Sequence, residues 1–219
     1  HWRAGIAGPV THAGIFDGES YDARLQPGYL VVEQLSSPEE NNEFQGEILP
    51  SSGAEVYHRR DLALSPVKAY IWKEVTGKSA DEHGTVVIDR EYASGDMMQL
   101  NAGETLVVDF GQNSAAVPSF VFKATEGTRL TCLPAELLND GNGAKSRGMD
   151  GPEGSVHRDN LRIPETGMRL DYTFAAGNDF VEFTPRSTFF GYRYVSITAT
   201  QSVTIRSLIS VPVTSISED

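Results

Sequence analysis

Several things are scarce in this sequence, and each scarcity excludes a class of function. There is one cysteine, Cys132. No intrachain disulfide can form, so cysteine usage leaves the redox compartment open, and no two-cysteine zinc site can be built. Cys132 alternates with Leu130 in an apolar pattern, which places it in a core. Basic residues are few: 18 Lys and Arg stand against 30 Asp and Glu, a net charge of −12. Phosphate backbones and anionic membranes need a concentrated positive surface, so neither nucleic acid nor a membrane is expected as a partner. No apolar run approaches the ~18 residues of a membrane-spanning helix. The P-loop, G-x-G-x-x-G and His-Glu-x-x-His signatures are missing. The histidines (His1, His12, His58, His83, His157) are scattered without ligand spacing. The chain opens His1-Trp2-Arg3, with neither an initiator Met nor a signal-like run. It is therefore expected to be a piece of a longer polypeptide whose chemistry sits elsewhere.

What is present is a dense β signal. Hydrophobic residues make up 39% of 219 residues, enough for a sizeable core. The stretch Leu106 to Asn113 organises the pattern. Three apolar residues run into Asp109, Gly111, Gln112 and Asn113, which read as a strand end and turn. Buried polar groups of this kind find hydrogen-bond partners, so the cluster caps loops or contacts a ligand. Strands are predicted at 67–75, 85–92, 98–100, 105–110, 117–124, 128–133, 169–175, 180–183, 192–200 and 203–213, separated by Gly- and Asn-rich turns. Their spacing predicts an all-β fold, an antiparallel sandwich. Residues 1–30 read as an extended segment with a tight turn at Asp17-Gly18. Ser37-Pro38 opens either a short helix or an exposed loop. A long irregular segment, about 134–166, is poor in apolar residues, and such loops are usually functional or mobile.

Chemistry is harder to place. A glycosidase-type carboxylate pair depends on a separation that sequence does not show. Two polar clusters stand out: Asp17, Glu19 and Asp22, and then Asp140, Asn142, Asp150, Asp159 and Asn160 around the long segment. Oxygen-rich loops suit calcium, although the run Asn139 to Gly143 lacks the ligand order of an EF-hand. Calcium is thus a possible cofactor beside a simply solvated loop, and the metal ligands stay unassigned. Trp2, Tyr29, Trp72, Phe189, Phe190, Tyr192 and Tyr194 are candidates for stacking on sugar rings. Trp2 is the one expected to be exposed, and one of Tyr192 and Tyr194, not both, is expected in the core. The candidate ligand-binding residues are Trp2, Asp140, Asn142, Asp159 and Asn160.

Six short motifs occur in an order that resembles a known family. Gly18-Glu19-Ser20-Tyr21-Asp22-Ala23-Arg24 with Pro27-Gly28-Tyr29 is similar to G-E-x-Y-D-A-R…P-G-W of bacterial α-L-rhamnosidases. Asp109-Phe110-Gly111-Gln112-Asn113 is similar to their D-F-G-Q-N. Gly127-Thr128, Ala135-Glu136-Leu137-Leu138 with Asp140-Gly141, Asn160-Leu161-Arg162 with Asp171-Tyr172, and Pro185 with Phe190-Gly191-Tyr192-Arg193-Tyr194-Val195 complete the series. Departures are Ala116-Val117 where the family has Gly-Trp, Tyr29 for Trp, and little match over 31–84.

The resemblance implies secreted or periplasmic multidomain glycoside hydrolases that remove terminal α-L-rhamnose from plant glycans with inversion. The motifs belong to an accessory concanavalin-like β-sandwich and to the tail of the domain before it. This implies a tail or extended segment at 1–30 and a sandwich at 31–219. The catalytic carboxylates sit in a helical (α/α)6 barrel that follows, so no catalytic residue is carried over. Asp109, Gln112 and Asn113 are expected to fix loops, hydrogen-bonded to backbone. Glu136, Arg162 and Arg193 are expected to be charges held by partners. The leading expectation is a non-catalytic segment that supports the barrel, with or without forming one wall of the substrate cleft. The alternatives are a carbohydrate-binding module and, last, a free-standing enzyme.

Overall fold

The computed structural model describes residues 8–25, 55–140, 151–161, 167–177 and 179–216. Ser37-Pro38 and the boundary near residue 30 lie outside them. Among the described residues, fourteen strands follow in chain order. They are β1 (Val10–Gly14), β2 (Gly18–Asp22), β3 (Tyr57–His58), β4 (Lys68–Thr76) and β5 (Thr85–Tyr92). Next come β6 (Met98–Leu100), β7 (Thr105–Ala124), β8 (Arg129–Ala135), β9 (Leu137–Leu138) and β10 (Val156–His157). Last are β11 (Arg169–Thr173), β12 (Val181–Phe183), β13 (Phe190–Ala199) and β14 (Val203–Thr214).

The architecture is the expected β-sandwich, and nearly every pairing is antiparallel. Among the described strands the exception is β2, which lies parallel to β11. One layer runs β1-β2-β11-β8-β13 and continues through the first half of β7 to β4 and β5. The other is built on the second half of β7, with β14 on one side and β12 and the start of β13 on the other. Strands β6 and β3 extend it beyond β14.

Where two strands and a turn were expected, one 20-residue strand, β7, runs through. Its partner on one edge is β4 up to Asp109 and β14 from Ala116 onward. Between them the ladder to β13 jumps from the pair Tyr194–Asp109 to the pair Tyr192–Ser114. Four residues of β7 thus face one of β13. Gly111 sits there with φ +78°, a conformation open to glycine at little cost. The polar cluster therefore makes a bulge that passes the strand from one layer to the other, and the chain does not reverse.

Alternation along the strands fills the space between layers. Leu106 and Val108 of β7, Phe120 and Phe122 beyond the bulge, Leu130 and Cys132 of β8, and Val195 and Ile197 of β13 are all buried in one core. Phe122 lies 4.7 Å, centroid to centroid, from both Tyr172 and Phe174. Burying such a ring contributes about 1.5–3 kcal/mol. The register shift opposite the bulge decides between the two tyrosines: Tyr192 joins the core and Tyr194 does not.

The described parts of the segment after β8 hold regular structure that its composition does not suggest. β9 and β10 pair, and residues 153–156 lie on the outer face of β4 and β5. There Tyr70, Val86 and Val107 form a second small core with Trp72, Leu138 and Val156. The Glu153 amide donates to Gly84 O and the Val86 amide to Glu153 O.

Candidate functional site

Asp109 is the centre of the bulge. Its carboxylate accepts the Gly111 amide at 2.7 Å and two bonds from Arg193, at 2.8 and 2.9 Å. Burial would raise its pKa. The paired Arg193 hydrogen bonds, the Gly111 amide and the Arg193 and Lys68 charges outweigh that and hold it below the usual range. The Arg193 guanidinium also lies 5.0 Å from the centre of the Tyr194 ring. A few residues away, Glu136 accepts one bond from Asn113 and one from Asn160, each at 3.2 Å. The expected backbone contacts are thus only partly found. Asp109 takes one, Asn113 is tied to a side chain, and Gln112 is exposed. A bulge leaves its side chains on the surface, within reach of other side chains.

Three of the five proposed ligand residues are among the described ones. Asp140, Asp159 and Asn160 are exposed, and Asn160 is the one that joins Glu136. Trp2, Asn142, Asp150 and Arg162 lie outside the described residues. Among the described residues, no group of three or more His, Cys, Asp or Glu is placed to hold a metal.

A different region has the form of a site. At the edge where the two layers part, a cavity of about 670 Å³ is walled by Pro9, Val10, Tyr21, Tyr172, Val181 and Phe183. Glu19, Glu182, Thr184 and Arg186 give its polar lining. A second cavity of about 300 Å³ adjoins it, sharing Glu182, Thr184 and Arg186 and adding His58 and Arg60. Strand alternation puts Glu19 and Tyr21 on the inner side of β2, while Ser20 points outward to Asp171 at 3.5 Å. Tyr21 stacks on Tyr172, centroids 5.5 Å apart and rings within 4° of parallel. Glu19 is 2% exposed, and its Oε2 accepts the Arg186 and Ser187 amides, both at 2.9 Å, and the Ser187 hydroxyl. Burial raises the Tyr21 pKa; the Arg186 charge opposes that and the Glu19 charge adds to it. Burial, then the Arg60 and Arg186 charges, lower that of His58.

A glycosidase needs a carboxyl group held protonated as general acid. Among the described residues every displaced carboxylate pKa is displaced downward: Asp22, Asp61, Glu104, Asp109 and Asp171. Asp171 is typical. Burial would raise it, but hydrogen bonds from Arg169, Arg129 and Thr131 prevail. In each of the five, a hydrogen bond from an arginine is among the causes.

The sequence profile of the bacterial alpha-L-rhamnosidase concanavalin-like domain matches residues 99–214. The chain belongs to this family. Similar proteins include the alpha-L-rhamnosidase of Alteromonas sp. (strain LOR), 25% identical over 199 residues, with 90% of this chain and 17% of that protein covered. The alpha-L-rhamnosidase of Streptomyces avermitilis is 26% identical over 203 residues, with 90% and 15% covered. Two solved structures share the fold. The Streptomyces avermitilis alpha-L-rhamnosidase complexed with L-rhamnose is 23% identical with a TM-score of 0.54, covering 94% of this chain and 17% of that one. The alpha-L-rhamnosidase from Dictyoglumus thermophilum is 19% identical with a TM-score of 0.54, covering 95% and 19%. The chain thus spans about a sixth of the length of these rhamnosidases.

The matched stretch runs from β6 to β14 and holds the whole bulge. Glu19 and Tyr21 lie outside it. Sequence reasoning saw Glu19 in an acidic trio and in the Gly18–Arg24 motif, gave it no ligand role, and did not foresee Arg186. It also missed Arg158, which is 8% exposed and donates to Pro134 O and Gly167 O at 3.0 Å and to Met168 O at 3.3 Å. A two-residue strand such as β10 is too short to show a period, so nothing marked Arg158 as buried.

Proposed function

We propose that this chain is a non-catalytic β-sandwich segment of an α-L-rhamnosidase-like glycoside hydrolase. Its partner is a helical catalytic barrel elsewhere in a secreted or periplasmic polypeptide that acts on rhamnose-containing glycans. The observation that carries the reading is the state of the carboxylates. Family membership brings the chain to glycoside hydrolases, yet Glu19, Glu104, Asp109 and Asp171 are all engaged as hydrogen-bond acceptors within the sandwich. The Asp109–Arg193 and Glu136–Asn113–Asn160 groups then act as architecture, making a rigid outer face around the bulge.

The test is hydrolysis of an aryl α-L-rhamnoside by the chain alone and by the polypeptide that contains it. The expected result is turnover by the larger protein only. Turnover by the isolated chain, abolished by a point change at one of its carboxylates, overturns the proposal. A second reading, carbohydrate binding by the sandwich itself, is favoured by one observation, the polar and aromatic cavity at the open edge. Calcium assistance has no support from a ligand cluster among the described residues.

A further inference from the structure

The geometry points to the open-edge cavity as a binding site for a neutral glycan residue, held by Glu19, Tyr21 and Arg186. This deepens the second reading above and moves it from the loop residues Asp140 and Asp159 to the seam between the layers.

Three features carry the inference. The first is unspent hydrogen-bonding capacity. Glu19 has three donors on Oε2, while among the described residues Oε1 takes no hydrogen bond. The Arg186 guanidinium and the Tyr21 and Tyr172 hydroxyls are equally unengaged among the described residues, and all four residues line the cavity. A carboxylate fixed by two backbone amides cannot turn away from what it faces. It is a preorganised acceptor beside mobile donors, which is what a vicinal diol uses.

The second feature is charge balance. Over the two adjoining cavities, Glu19 and Glu182 are offset by Arg60 and Arg186, and Glu182 is paired with Arg60 at 3.3 Å. In a chain of net charge −12, a locally neutral lining is selective. An anion meets the two carboxylates and a cation meets the two arginines, whereas a polyol meets donors and acceptors without a charge cost.

The third feature is the apolar wall. Val10 and Val181 are 47% and 38% exposed, beside Tyr21 and Phe183. Sugars and deoxysugars present C–H faces to such surfaces while their hydroxyls reach the rim. The combined volume lies in the range of about 300–1,000 Å³ of ordinary ligand sites.

The experiment is calorimetric titration of the intact chain with methyl α-L-rhamnopyranoside, and with sodium glucuronate as the charged probe at equal ionic strength. Saturable heat is expected from the methyl glycoside and none from glucuronate. Arg186→Ala is expected to weaken binding by about tenfold or more, the size of one lost hydrogen bond to a charged group. Tyr21→Phe, which keeps the ring and removes the hydroxyl, is expected to weaken it less. Glu74→Gln, exposed on β4, is expected to leave it unchanged. Arg186 is exposed, so the melting temperature of Arg186→Ala should match that of the parent; if it falls, Tyr21→Phe decides. The proposal is overturned by absence of saturable heat, by tighter binding of glucuronate, or by undiminished binding in both variants. The rhamnoside probe rests on the family reading. Failure of that reading appears in the hydrolysis assay, whereas failure of this one appears only in the titration.

Discussion

Two polar regions of the sandwich differ in how completely their groups are matched. At the bulge, Asp109 is closed by Arg193 and the Gly111 amide, and Glu136 by Asn113 and Asn160. At the open edge, half of the Glu19 carboxylate and the whole Arg186 guanidinium face a cavity. The bulge lies wholly inside the family match, while Glu19 and Tyr21 of the open edge lie outside it. The difference separates two uses of polar residues. Groups satisfied by one another hold a backbone in place; groups fixed on one side and free on the other are available to something else.

The largest expected effect breaks the open edge. A Cβ on Gly18 would sit 1.8 Å from Arg169 O, at φ +109°. Gly18→Ala therefore must push β2 off β11, and a loss of about 3 kcal/mol is expected in urea unfolding. It should abolish glycoside binding with the same change. At the bulge, Asp109→Ala leaves the Gly111 amide and the Arg193 fork without their acceptor. Arg193 is 39% exposed, so water takes over part of its role, and a loss of about 1–2 kcal/mol is expected with glycoside binding intact. Equal loss of binding in that variant would remove the distinction between the regions.

Acid sharpens the contrast. Glu104, hydrogen-bonded by Arg90 and the Asn101 amide, has its pKa held down to about 2. A folded-state pKa below the unfolded one adds stability that is present above about pH 4.5 and lost as pH falls towards 2. Arg90 is 35% exposed, so the expected decline is about 1 kcal/mol. Urea midpoints measured from pH 5 to about pH 2 should therefore fall, and fall less in Glu104→Gln. The smallest effect belongs to Asn160→Ala, which removes one of two amides from a half-buried Glu136. A change within about 0.5 kcal/mol is expected by thermal melting.

The sequence was legible wherever a local period carries the information. Thr85–Tyr92 and Met98–Leu100 are strands with the predicted ends, because alternation and turn residues act within a few positions. The motif order pointed to the family for the same reason, since each motif is a short local signal. Asp109 to Asn113 was legible as a polar interruption, but its sense as a continuing bulge was not. That depends on β14 replacing β4 as the neighbour, a contact between residues about a hundred positions apart.

What the sequence determined by itself is the β class, the Leu106–Asn113 centre and the family. What only the tertiary structure decided is which polar residues meet. Glu19 reaches the Arg186 and Ser187 amides across 167 and 168 positions, and Arg193 reaches Asp109 across 84. Side-chain pairing at that range is set by the stacking of layers and the register of strands, and no local pattern encodes either.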